Sequence, residues 1–316
     1  MNETTRAAGV MEFGGAQNLQ LVEVPIEHAG TGQVRVRVHA AAVNPTDTYI
    51  PLGSRVRKGE TPTFPQVPGM DIAGVIDEVG PGVQTGVQVG DRVMGIVVPS
   101  GTHGAYRESI VLPAVSVTLA PAGTSHAEAA TLPMNGLTAR LALDLLALKP
   151  GQTLAVTGAA GAFGGYVIQL AKADGLTVVA DSSEADEQLV RDLGADIVVR
   201  RGDDVAERFR EHFPEGVDAL ADGAVLDEKA LSAVKDDGKV ATVRFWKGNG
   251  ERRLQFFPVM VRDYAENHAA LDRLRQQAED GVVTLRVAKT FPAEQSAEAQ
   301  QLLAKGGVRG RIILEF

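Results

Sequence analysis

The stretch Thr153-Leu-Ala-Val-Thr157-Gly158-Ala159-Ala160-Gly161-Ala162-Phe163-Gly164-Gly165 decides how this chain reads. Residues 153–157 form the apolar run that a buried parallel strand requires. Small residues follow, and from Phe163 the apolar spacing turns helical, so a strand passes through a tight turn into a helix. As a phosphate-binding fingerprint, Ala159 stands where a first glycine is usual, with Gly161 and Gly164 at the second and third places. A side chain at Gly161 would stand between backbone and pyrophosphate, and Gly164 lets the helix pack close on the strand. The helix start, with Ala162 and Phe163 in its first turn, offers free N–H groups and positive dipole to a phosphate. Glycines alone also fit a plain tight turn. Here a second apolar strand, 177–180, ends on Asp181, about 20 residues past the turn, where a carboxylate accepts hydrogen bonds from ribose hydroxyls. Asp181, Ser182 and Ser183 suit a helix N-cap as well, and the two roles are compatible.

Working outward, the alternation continues. Strands are expected at 197–199, 217–221 and 239–243, with helices at 163–173, 185–193, 204–212 and 227–234 between or after them. Such βαβ alternation argues a parallel sheet covered on both faces. An earlier helix, 135–148, ends at Pro150-Gly151, and Thr124-Ser125-His126-Ala127-Glu128 reads as a helix start with a hydroxyl cap and an acid in the first turn. Residues 1–124 differ in texture: short apolar runs at 33–42, 72–79, 91–98 and 106–111 alternate with Gly and Pro turns, which is a β-rich pattern. Beyond 259 come a long helix (262–279), a strand (285–289), a helix (293–305) and a closing strand (310–315). The organisation expected is therefore an α/β chain with a β-rich domain at 1–124, a doubly wound parallel-sheet domain at 125–259, and a C-terminal segment, 260–316, packing back mainly on the first.

Composition narrows the function. Among 316 residues, a net charge of −9 without clustered Lys and Arg disfavours nucleic acid and anionic membranes. No apolar run approaches the roughly 18 residues that span a bilayer. The N-terminus shows no charged-then-apolar signal pattern, so a cytoplasmic location is expected. The chain has no cysteine, which removes disulfides, thiol nucleophiles and thiolate metal sites. Its six histidines are scattered and none pairs at a metal-ligand spacing. No Ser/His/Asp set suggests covalent hydrolysis.

Several ordered motifs then point one way: Ala41-Ala42-Val43-Asn44-Pro45-Thr46-Asp47, Val67-Pro68-Gly69-Met70-Asp71 through Ile76 to Gly80, Gly90-Asp91-Arg92-Val93, Gly104-Ala105-Tyr106, Leu132-Pro133, Thr138-Ala139, Leu193-Gly194-Ala195-Asp196 and Gly310-Arg311-Ile312. In this order, with the glycine turn, the whole chain resembles the zinc-independent quinone oxidoreductases, the zeta-crystallin-like branch of the medium-chain dehydrogenase/reductases. The resemblance implies a GroES-like β domain, a Rossmann domain and a homodimer through sheet edges. It implies an NAD(P)H-dependent oxidoreductase that reduces a quinone or similar small carbonyl compound by hydride transfer. Zinc-dependent relatives carry Cys at the place of Asn44 and His-Glu at the place of Met70-Asp71, and this chain has neither, so no zinc is expected.

Roles follow from the same matching. Asn44 is expected near the nicotinamide ribose or the substrate carbonyl, although Asn-Pro also opens turns. Asp47 and Tyr49 are candidate pocket residues, Tyr49 as a hydrogen-bond or proton donor; a structural Asp and a half-buried Tyr are the plainer reading. Thr138 is expected on the nicotinamide side, or as a helix hydroxyl bonding its own backbone. With Ala159, Gly161, Ala162, Phe163, Gly164, Asp181 and Ser182 it makes up the expected cofactor site. The family's second Tyr near the quinone is replaced here by Arg55, within a stretch that also holds Arg57 and Lys58. Many relatives carry a Lys where Asp186 stands, so Asp181 and Asp186 weigh toward NADH; Arg200 and Arg201 reverse this if they reach the adenosine pocket. Gly223 and Arg244 end parallel strands, where ligands bind. The segment 245–250 holds the lone Trp and is open to a lid or a dimer role. Reduction of an enone or enoyl thioester, and nucleotide binding without turnover by a redox sensor, are the alternatives.

Overall fold

The computed structural model describes residues 3–56, 59 and 61–316. The chain forms two compact units: Met1–Met134 with Ala265–Glu279 and Leu285–Phe316, and Asn135–Tyr264 with Asp280–Thr284. The mixed α/β architecture read from the sequence is the one observed.

In the first unit, apolar positions alternate along Gln33–Val43, where Val34, Val36, Val38 and Ala40 are buried. That period of two places one face of the strand on the core. The strand pairs antiparallel with Asp71–Val79, Ser109–Pro113 and the C-terminal strand Arg311–Glu315. The sheet continues through Arg92–Ile96 to Val117–Leu119 on one side and through Arg311–Glu315 to Val287–Pro292 on the other. The last turns of the chain thus complete the sheet begun at residue 33, and Ile312 and Leu314 pack in the same core as Val36 and Ile72. A separate hairpin joins Thr4–Gly9 to Gln20–Pro25.

The second unit is a six-stranded parallel sheet in the order Ile197–Arg200, Thr177–Ser182, Thr153–Thr157, Val217–Asp222, Val234–Thr242, Gln255–Pro258. The chain enters at Thr153–Thr157, winds outward one way, then returns to pair Val217–Asp222 on the other side. Ligands of open α/β sheets bind outside the carboxyl ends of strands at such a reversal, and the glycine turn sits there.

Some local expectations shift. The helix expected at 262–279 is a 3₁₀ turn, Val261–Tyr264, and a separate helix, His268–Glu279. Asn267 starts the second piece, its side-chain oxygen accepting from the Ala270 N–H at 3.1 Å, as an N-cap does. The helix expected at 227–234 is a 3₁₀ segment, Asp227–Ala233. The helix expected at 135–148 spans Pro133–Leu146. Near residue 125 the capping box forms as read: Ser125 Oγ accepts the Glu128 N–H at 3.1 Å, and Glu128 accepts the Ser125 N–H at 2.8 Å.

Candidate active site

In the second unit the glycine turn is built tightly on itself. Gly158 has φ +66°, a left-handed value that glycine adopts without steric cost. A Cβ on Gly164 would lie 2.5 Å from the Gly158 carbonyl oxygen and 2.8 Å from Ala159 Cα, so only hydrogen fits there. A Cβ on Gly161 would meet nothing nearer than the Gly158 carbonyl oxygen at 3.1 Å. The turn is therefore closed behind Gly164 and open in front of Gly161, which caps the helix Ala162–Ala173. This is a cradle for a phosphate-sized group at a helix N-terminus, and a dinucleotide pyrophosphate fits it.

Asp181 lies at the end of the second strand of this unit and is 5% exposed. Its Oδ1 accepts the Ala159 N–H at 3.1 Å. Burial, opposed by the backbone N–H groups of Ala159 and Gly158, raises its pKa above the ordinary carboxylate value. The carboxylate that the sequence assigns to a ribose is thus engaged by the turn itself. Ser182 is buried beside it. Thr138 lies part-buried within the helix Pro133–Leu146.

The turn has a further partner that sequence reasoning passed over. Asp222 is 1% exposed; it accepts the Thr157 hydroxyl at 2.6 Å and the Asp227 N–H at 2.9 Å. Thr157 Oγ1 in turn accepts the Ala224 N–H at 3.2 Å, and the Gly223 N–H donates to the Thr157 carbonyl at 3.2 Å. The loop after Val217–Asp222 is thereby latched to the glycine turn. Arg244 is exposed. Trp246 stacks edge-on against Phe256 at 5.1 Å, and Thr242 Oγ1 donates to its carbonyl at 2.7 Å.

In the first unit, Asn44 and Asp47 lie in a buried polar network. Asn44 Nδ2 donates to Asp71 Oδ2 at 2.7 Å and to the Ala42 carbonyl at 3.3 Å. Asn44 Oδ1 accepts from Arg311 Nη2, and Arg311 also faces Asp71 at 4.0 Å. Asp71 Oδ1 accepts the Met134 N–H at 2.6 Å. Asp47 Oδ2 accepts both the Asn44 N–H at 2.8 Å and the Tyr106 hydroxyl at 3.0 Å. Asn44, Asp47, Asp71 and Tyr106 are all fully buried, and Arg311 nearly so. Burial drives the Asp47 carboxyl up to about 7, with the charge of Asp71 adding to the rise. Burial likewise lifts Asp71 to about 6, against the pull of Arg311 and Asn44. Tyr106 is raised well above its ordinary value by burial and by Asp47.

The network sorts the three residues matched from the sequence. Asn44 and Asp47 are held inside it. Tyr49 ends the 3₁₀ segment Pro45–Tyr49, is half-buried, and its hydroxyl makes no hydrogen bond among the described residues. Arg55 is exposed and reaches the Thr46 carbonyl at 3.5 Å; Arg57 and Lys58 lie outside the described residues. Asp71, Tyr106 and Arg311 carry no role in the sequence reading, although each lies in a motif quoted for the resemblance.

The parallel sheet, its strand order and its glycine turn define a dinucleotide-binding architecture. Comparison with known proteins gives its family. Residues 30–122 match the alcohol dehydrogenase GroES-like domain, and residues 193–314 match the family described as zinc-binding dehydrogenase. The chain is 31% identical to the 2-haloacrylate reductase of Burkholderia sp over 98% of both chains. It is 28% identical to human quinone oxidoreductase, over 98% of this chain and 97% of that one. A tomato 2-methylene-furan-3-one reductase is 33% identical over 246 residues, which make 75% of this chain and 62% of that protein's length. A mycobacterial protein solved in complex with NADPH superposes with a TM-score of 0.86 at 27% identity, over 99% of this chain and all of that one. The chain belongs to the quinone oxidoreductase branch of the medium-chain dehydrogenase/reductase superfamily, a group of NAD(P)H-dependent oxidoreductases.

Proposed function

We propose that the protein reduces a quinone, or the activated double bond of a small α,β-unsaturated carbonyl compound, with a nicotinamide dinucleotide and without zinc. The observation that carries this reading is the cradle open in front of Gly161 at the reversal point of the parallel sheet. Relatives named quinone oxidoreductase and 2-haloacrylate reductase span nearly the whole chain, which supports these two acceptor classes. The donor set supports the zinc-free reading: the chain has no cysteine, and among the described residues no three His, Asp or Glu side chains are grouped to hold a metal.

The cofactor supplies the hydride. The residues of this chain supply position and polarity. The N–H groups at the start of Ala162–Ala173, with Gly161, hold the pyrophosphate, and Thr138 serves the nicotinamide end. For a quinone, one hydride and one proton give the hydroquinone; for an enone, the hydride goes to the β carbon and the proton to the α carbon. Negative charge develops on the carbonyl oxygen as the hydride arrives, and a fixed donor there lowers the barrier. Tyr49, with its hydroxyl uncommitted, is that donor. Asn44, locked by Asp71 and Arg311, fixes the start of the segment that carries Tyr49, and Asp47 holds the same segment through its bond to the Asn44 N–H. Asp181 and Asp186, as charges beside the second strand, weigh toward NADH. The protein works as a cytoplasmic homodimer, and the edge of Gln255–Pro258, which no further strand pairs among the described residues, is its candidate contact.

The test is oxidation of NADH and NADPH by the purified protein with 1,4-benzoquinone, 9,10-phenanthrenequinone and an alkenal as acceptors, with a chelator present. Turnover that the chelator leaves unchanged, and that falls about tenfold or more in Tyr49→Phe with unaltered cofactor binding, is the expected result. Cofactor binding without turnover on any acceptor would replace the reading with that of a nucleotide-binding redox sensor.

A further inference from the structure

The helix Ser296–Lys305 packs against the 3₁₀ segment Pro45–Tyr49 and the strand Arg311–Glu315. The face it turns inward is not wholly apolar. Ser296 and Gln300 stand one turn apart, so they share that face, and both are fully buried. Gln300 lies close enough to the Tyr106 hydroxyl to act on it, and that hydroxyl donates to Asp47 Oδ2 at 3.0 Å. The helix therefore brings a hydroxyl and an amide up to the buried network around Asp47.

These groups do not pair with one another. Ser296 Oγ, both polar atoms of the Gln300 amide, Asp47 Oδ1 and Arg311 Nε are buried, and none has a hydrogen-bond partner among the described residues. Folded chains pair nearly all of their buried polar groups, because an unpaired one keeps the full cost of its lost hydration. Several unpaired atoms gathered around one carboxyl thus point to a partner that is not a side chain. Their chemistry identifies it. Gln300 Nε2 and Arg311 Nε are donors, Gln300 Oε1 and an ionised Asp47 Oδ1 are acceptors, and Ser296 Oγ serves either way. A cation would satisfy only the acceptors, and an anion only the donors. Water does both at once, and internal water holds to groups of this kind by about three hydrogen bonds.

We propose that water is bound between the helix Ser296–Lys305 and the segment Pro45–Tyr49, that it joins Gln300 and Ser296 to Asp47 Oδ1, and that Gln300 is through it a positioning residue for the Asp47 carboxyl. A donor on Oδ1 favours the ionised form, so the bound water limits how far burial raises this group. The other titratable or charged groups that act on Asp47 are Asp71, Tyr106 and Arg311; the charged residues of the helix itself, Glu298 and Lys305, are exposed. The same water ties the helix to the segment that ends on Tyr49.

High-resolution crystal structures of wild type and Gln300→Met test this first. Wild type is expected to show water at about 2.7–3.2 Å from Asp47 Oδ1 and from Gln300, and Gln300→Met to lose it or leave it weakly ordered. Urea unfolding of wild type and Asp47→Asn between about pH 5 and pH 8, repeated in the Gln300→Met background, gives the titration midpoint of Asp47 in each. The midpoint is expected to rise by at least about half a pH unit when the amide is lost, whereas a purely structural loss lowers stability equally at every pH. Ser296→Ala removes a single hydroxyl, is expected to move the midpoint the same way by less, and takes the place of Gln300→Met should that variant not fold. The inference is overturned if wild type shows the Gln300 amide bonded straight to Asp47 or Tyr106 with no water between them, if the site holds a cation with short contacts to the oxygens, or if the midpoint is the same in both backgrounds.

Discussion

Asp47 offers a quantitative test of the buried network. Its carboxyl is raised to about 7 by burial, while an unfolded Asp titrates near 3.8. Between those values the folded protein holds a proton that the unfolded chain has released. Stability from this group is therefore full below pH 3.8 and is lost as pH rises toward 7. At about 1.4 kcal/mol per pH unit the whole window is worth about 4 kcal/mol, of which about 2–3 kcal/mol falls between pH 5 and pH 8. Asp47→Asn keeps the shape and the oxygen that accepts from Asn44 and Tyr106, and removes the titration. Its new NH₂ group falls where Asp47 Oδ1 now lies buried without a hydrogen-bond partner, a constant cost that cancels when pH values are compared. Urea unfolding of wild type and Asp47→Asn at pH 5, 6, 7 and 8 reads the difference directly. The variant is expected to gain on wild type by about 2–3 kcal/mol from pH 5 to pH 8. A difference that stays flat across this range would refute the claim that Asp47 is buried and protonated near neutrality.

Three further outcomes follow from the geometry. Gly161→Ala, whose Cβ would meet only the Gly158 carbonyl oxygen at 3.1 Å, is expected to cost the unliganded protein less than about 1 kcal/mol and to weaken cofactor binding at least about tenfold, whereas Gly164→Ala, forced against backbone at 2.5 Å, should lose about 1–3 kcal/mol of stability as well; calorimetry and fluorescence titration separate the two. Arg311→Met leaves Asp71 and Asn44 Oδ1 without their cation, so a loss of about 3–5 kcal/mol is expected at pH 8 and a smaller one at pH 5, where protonation relieves Asp71, as urea unfolding at both pH values will show. His126 stacks on His39 at 4.7 Å and is pushed down to about 4 by burial and by the nearby His39 and Arg92, so it contributes stability that is present above pH 6.5 and lost as pH falls toward 4; melting curves of His126→Leu should decline less over that interval than those of wild type.

What the sequence reveals here is what is local. The run 153–165 specifies strand, turn and helix because period, small residues and cap lie within a dozen positions. The Ser125–Glu128 capping box is legible for the same reason. The direction of Asp181 is not: a strand alternates faces, but only the paired sheet shows that its face meets the Ala159 N–H. The Asn44 network is the extreme case, since Arg311 lies 267 residues from Asn44 and Tyr106 lies 59 from Asp47. Nothing local marks an arginine near a C-terminus as the countercharge of a buried carboxylate. The break at residues 265–267 was locally available, since Asn267 is a cap residue, but the apolar periodicity runs across it and favours one long helix.

A single turnover separates a reductase from a protein that only binds the nucleotide. Protein premixed with one equivalent of NADPH is mixed with excess 9,10-phenanthrenequinone, and absorbance at the nicotinamide band is followed with cofactor fluorescence. A reductase gives a stoichiometric loss of the reduced-nicotinamide absorbance at a rate well above that of the protein-free mixture, unchanged by chelator. Cofactor that binds, shown by its fluorescence, yet keeps its absorbance with the quinone and with an alkenal would contradict it.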